Sequence, residues 1–81
     1  MRADICDSDD EAAVSRFKST LKKMGAKSLG KTWAIGVDVL DLQIGDETLR
    51  VFSDAWSVDI EGTDQLVRQV LRVFNEVGSK S

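Results

Sequence analysis

The arrangement of apolar residues predicts an α+β domain: a two-layer α-β-β-β-α sandwich in which a three-stranded antiparallel sheet carries both helices on one face. Three observations predict it. Residues 9–24 and 64–77 repeat apolar side chains at spacings of three and four; residues 32–60 alternate and are rich in β-branched types; and Gly45-Asp46 separates two alternating runs by the two residues of a tight hairpin. The 81 residues leave room for one such domain, expected over 9–77 with flexible tails at 1–8 and 78–81.

The first helix is expected over 9–24. Ser8 followed by Glu11 has the spacing of a capping box, in which hydroxyl and carboxylate satisfy orphan amides at a helix start. Val14, Phe17, Leu21 and Met24 then form one apolar stripe with Ala13 beside it. Asp9, Asp10 and Glu11 complement the positive end of the helix dipole, Lys22 and Lys23 the negative end, and Gly25 can adopt the left-handed conformation that stops a helix. Residues 25–31 read as a polar connector.

Of the strands, those around Gly45-Asp46 are specified most sharply. Glycine at the first turn position suits a type II′ turn, and a two-residue loop sets the register. Leu42 then opposes Leu49 and Leu40 opposes Val51 on one face, with Asp41 opposite Arg50 and Gln43 opposite Thr48 on the other. The next turn, around 53–56, is expected to place Val51 opposite Val58, Leu49 opposite Ile60 and Arg50 opposite Asp59. The first strand, around 32–37, is less constrained. An even-length connection puts Trp33 and Ile35 on the core face, which a small domain in need of buried area favours; an odd one puts Trp33 outside.

Gly62 and Thr63 break the last strand, and Thr63 or Asp64 can cap the second helix. Leu66, Val67, Val70, Leu71, Val73, Phe74 and Val77 cover one wide arc of it, which marks it as the main core helix.

The composition excludes much chemistry. The chain has no histidine, no tyrosine and one cysteine, so histidine-based triads, cysteine–histidine dyads and the common zinc ligand sets are absent. Cys6 lies among Asp4, Asp7, Asp9 and Asp10, anions that disfavour a thiolate. The same carboxylates lack the spacing and central glycine of a calcium loop, and no glycine-rich phosphate loop is present. No cofactor, metal or catalytic residue is expected. The lone cysteine and the lack of an apolar leader in 1–8 point to a reducing cytoplasm.

Net charge is −3, and it is unevenly spread. Residues 1–11 hold five acids against Arg2; residues 12–37 hold Arg16, Lys18, Lys22, Lys23, Lys27 and Lys31 and no acid; residues 38–81 hold nine acids against four bases. The basic 16–31 segment leaves open a nucleic-acid or anionic ligand, although an acidic chain is poorly suited to neutralising many phosphates. Helix, three strands and helix is also the element order of double-stranded RNA-binding domains. Here, however, the last helix opens with Thr63-Asp64-Gln65 in place of clustered lysines.

The outer sheet face supplies the candidate contact residues. Arg50 is expected between Asp41 and Asp59, either as a solvated ion triplet that fixes register or as a charged spot on a binding surface. Phe52 is expected on the same face beside Ser57, where Trp56 would widen it into an aromatic patch. The reading is therefore a non-enzymatic interaction module that contacts another protein, or a second copy of itself, through Asp41, Arg50, Phe52, Trp56 and Asp59, or through a sheet edge.

Overall fold

A computed structural model describes residues 1–79, with the side chains of residues 33, 34, 78 and 79 outside the description. The elements are β1 (Arg2–Asp7), α1 (Glu11–Lys23), β2 (Lys27–Ala34), β3 (Val37–Ile44), β4 (Glu47–Asp54), β5 (Ser57–Glu61) and α2 (Asp64–Ser79). The strands form one antiparallel sheet in the order β1-β5-β4-β3-β2. The α+β class holds, but the sheet has five strands, not three.

β1 was not expected, and β2 overlaps the strand expected around 32–37 but runs over 27–34; both are edge strands whose alternation is broken. β1 lies where a flexible tail was expected; its pairing with β5 slips between Asp4 and Cys6, so Ile5 is an extra residue and the period of two is lost. β2 starts inside the expected connector, and its pairing with β3 slips between Ser28 and Gly30 around Leu29. Bulges and charged side chains are how edge strands avoid unwanted pairing, and they also erase the pattern by which a strand is recognised. At the other end, α2 continues to Ser79, past the boundary expected at residue 77.

The central hairpin matches the expected register at all four pairs: Leu42 with Leu49, Leu40 with Val51, Asp41 with Arg50 and Gln43 with Thr48. Gly45 has a φ of 62° while Asp46 keeps a negative φ, the combination a type II′ turn requires. The β4–β5 register differs by two residues from the expectation. Val51 faces Ile60, Phe52 faces Asp59, and Arg50 faces Glu61. The cause is Asp54, whose Oδ1 accepts hydrogen bonds from the backbone N–H groups of Trp56 and Ser57, both at 2.8 Å. This side-chain turn confines the loop to Ala55-Trp56 and lets β4 run to Asp54.

The apolar face of the sheet meets both helices in one core. Leu42, Ile44, Leu49, Val51, Val58 and Ile60 are buried with Ala13 and Phe17 of α1 and Leu66, Val67, Val70 and Phe74 of α2. The helices touch through Phe17 and Phe74, packed edge to face at 6.4 Å. The Arg16 guanidinium lies 4.2 Å from the centre of the Phe74 ring, so one cation of the basic segment belongs to the helix interface.

The α1 cap differs from the sequence reading, while the α2 cap is one of the two residues it offered. Asp10, not Ser8, caps α1, accepting from Ala13 N at 3.1 Å, while Ser8 Oγ donates to the carbonyl of Asp54. Thr63 caps α2, its Oγ1 accepting from Leu66 N at 3.2 Å and donating to Glu47.

Leu49 is fully buried whereas Leu71 only borders the core. Leu49→Ala is therefore expected to cost about 2–5 kcal/mol in urea unfolding, and Leu71→Ala clearly less. Equal losses at the two sites would mean that the core is centred elsewhere.

Candidate functional site

Four of the five expected contact residues share the outer sheet face. Asp41 and Arg50 are cross-strand partners, and Arg50 Nε donates to Asp41 Oδ1 at 2.9 Å. That hydrogen bond, with the carboxylate's charge, raises the Arg50 pKa above its ordinary value. The expected bracket of Arg50 by two aspartates does not form, because Glu61 occupies the second flank. Asp59 sits one row along, between Phe52 on β4 and Asp4 on β1.

The partner of Asp59 comes from β1. Arg2 donates to Asp59 Oδ2 at 3.0 Å, and its guanidinium stands 4.4 Å from the centre of the Phe52 ring. One arginine thus links the edge strand across β5 to β4 and roofs the phenylalanine, which is half-buried in place of being the free centre of a patch. Sequence reasoning missed Arg2 and Asp4 because it placed them on a tail. The usable signal was the run Arg2-Ala3-Asp4, which alternates before the bulge.

Asp4 and Asp59 face each other directly across the β1–β5 ladder. Asp59 Oδ1 is buried and meets no hydrogen-bonding partner of fixed geometry. The side chain directly across the ladder from it is the Asp4 carboxyl. Hydrogen bonding to Asp59, then its charge, pushes the Asp4 carboxyl above the ordinary aspartate range, while the same bond, with help from Arg2, holds Asp59 below it.

Trp56 lies apart from these four, at the β4–β5 turn, and is 79 % exposed. Ile35, on the β2–β3 turn at the same end of the sheet, is 99 % exposed. It was expected on the core face; the structure puts it on the turn itself, between strands that end at Ala34 and begin at Val37. The related expectation for the Trp33 side chain falls outside the described residues. A shallow hollow of about 250 Å³, lined by Gly36, Val37, Asp38, Ser53, Asp54 and Ala55, separates the two turns. The β1–α1 connection reaches the same end, where Ser8 N donates to the carbonyl of Trp56 at 3.0 Å. It brings Asp7 and Asp9, the neighbours of Ser8, to the turn that Asp54 closes.

The remaining candidates are dispersed. Lys22 and Lys23 end α1 at the opposite end of the sheet, and Lys27 and Lys31 lie on β2. Cys6 is half-buried opposite Val58, not on a frayed tail, and burial followed by Asp10 and Asp7 pushes its thiol pKa up. Among the described residues no group of three or more histidine, cysteine or carboxylate side chains is arranged to hold a metal ion, and no helix is long and apolar enough to cross a membrane. Compared with models of known families, with curated proteins and with solved structures, the chain matches none.

The carboxyl pair makes stability depend on pH in two opposed ways. Asp4's raised pKa means that the folded chain retains a proton the unfolded chain has lost, so its share of stability declines as pH rises through the folded value. Asp59's lowered pKa contributes stability above the unfolded value, lost as pH falls through the folded one. Asp4→Asn places a fixed N–H donor opposite Asp59. Its melting temperature is expected to exceed that of the wild type by more at pH 7 than at pH 4; the same increment at both would show that the two carboxyls do not influence each other's titration.

Proposed function

We propose that this chain is a non-enzymatic protein-interaction module that receives a cationic partner on the end of its sheet. The single observation that carries the reading is the exposure of Trp56 and Ile35 on adjacent turns, while twelve apolar side chains make a core that needs neither of them. Large apolar groups held free of the core by short turns are the anchor type that carries much of the energy of protein interfaces.

The partner's charge follows from the rim. Asp7 and Asp9 flank Ser8, which is bonded to the Trp56 turn, and Asp38 lies on β3 just past the Ile35 turn; no cation of the described residues lies within ion-pair distance of them. An arginine can both lie on an indole and pair with a carboxylate, so a basic surface satisfies both features. This moves the centre of the expected site from Phe52, which Arg2 covers, to Trp56. The alternative of an anionic ligand on residues 16–31 has less support, since Arg16 is committed to Phe74 and the lysines are spread over α1 and β2.

The test begins with partners captured by the wild type, identified, purified and titrated back. Trp56→Asp with Ile35→Asp is expected to weaken binding about tenfold or more with an unchanged circular dichroism spectrum. Phe52→Asp is expected to weaken it far less, and binding should fall with added salt. A partner that binds the double variant as tightly as the wild type, or one lost only with Phe52→Asp, would overturn the proposal.

A further inference from the structure

A five-stranded open sheet has two free edges, and here they carry opposite charge. β1 presents Asp4 and Asp7, its one cation, Arg2, being engaged with Asp59. β2 presents Lys27 and Lys31 and no acid. Pairing either edge with its own kind sets like charges together, which destabilises a ladder, whereas pairing β1 with β2 sets opposite charges together. Each edge therefore discourages the symmetric dimer, and only the mixed pairing is complementary.

We propose that copies of this chain associate head to tail, the β1 edge of one copy extending the sheet at the β2 edge of the next. The occupant of each edge is a second copy of the same chain, and the interface is heterologous, so association continues into rings or short open chains. The side-chain faces are compatible with this in both strand directions. Asp4 and Asp7 point to the outer face, opposite Asp59 and Ser57; Lys27 also points there, opposite Gln43, while Lys31 is on the helix side, opposite Leu40. A neighbour added in parallel keeps its helices on the same side and brings its Asp4 and Asp7 to the face of Lys27. A neighbour added antiparallel is turned over and brings them to the face of Lys31. Either way a lysine shares a face with the aspartates, and the bulges at Ile5 and Leu29 limit the ladder to a few residues, which makes the association weak and reversible.

A charge exchange tests this. In sedimentation velocity at low salt the wild type is expected to gain mass with concentration up to about 1 mM and to revert to single chains in about 0.5 M salt. Lys27→Glu with Lys31→Glu makes both edges acidic, and Asp4→Lys with Asp7→Lys makes both basic; each variant alone is expected to stay a single chain. Their equimolar mixture is expected to associate again by alternation, which also shows that both variants fold. Wild-type chains that remain single throughout, or a mixture that gains no mass while each component keeps a folded spectrum, would overturn the proposal. So would stronger association of either variant alone. These edges include neither Trp56 nor Ile35, so that failure would leave the sheet-end reading standing.

Discussion

The β3–β4 register is the constraint on which the rest depends. A two-residue loop closed by Gly45 at positive φ leaves one alignment of the flanking strands, and a slip of one residue would turn every apolar side chain to the wrong face. From that alignment Leu42, Ile44, Leu49 and Val51 face the helices, and Asp41 and Arg50 face away. α1 and α2 have one apolar surface to land on, and β5 and then β1 extend it. The outer face inherits its order from the same alignment, since a ladder that sorts apolar groups to one side also decides which charges can meet on the other.

The sequence was most legible where local geometry and burial agree. The central hairpin, the apolar arc of α2, the stripe of α1 and the placing of both helices on one face all followed from periodicity plus one glycine. It was least legible at the sheet margins. β1 and β2 are short, bulged and charged, and an edge strand pairs on one side only, so it has little need of apolar residues. The β4–β5 register was decided by a single carboxylate. The expected turn was centred one residue too early, because the hydrogen bonds of Asp54 to Trp56 and Ser57 move the loop to Ala55-Trp56.

That omission propagated into the candidate site. Without β1 there is no Arg2 to cover Phe52 and no Asp4 beside Asp59, so Phe52 read as an open patch and Asp59 as a second partner for Arg50. With β1 in place the outer face carries two sets of pairings: Arg50 with Asp41, and Arg2 with Asp59 and Phe52. Exposed ion pairs of this kind contribute little to stability. They nevertheless occupy the groups a partner would need, so the face that the sequence offered as a binding surface has already spent much of its chemistry on tying an edge strand down.

The sheet end is different in kind. Exposure of Trp56 is not a packing accident, because the turn that presents it is fixed by Asp54 on one side and by Ser8 on the other: Ser8 N donates to the carbonyl of Trp56 and Ser8 Oγ to the carbonyl of Asp54. A turn secured by four such bonds holds fixed the backbone from which the indole projects. The backbone under the indole is thereby ordered, which under the proposed reading lowers the conformational entropy that binding must overcome. The same Ser8 contact draws the β1–α1 connection to this end and with it Asp7 and Asp9. One tether thus brings an ordered aromatic turn and a rim of uncompensated negative charge together, and a basic, partly apolar surface complements both.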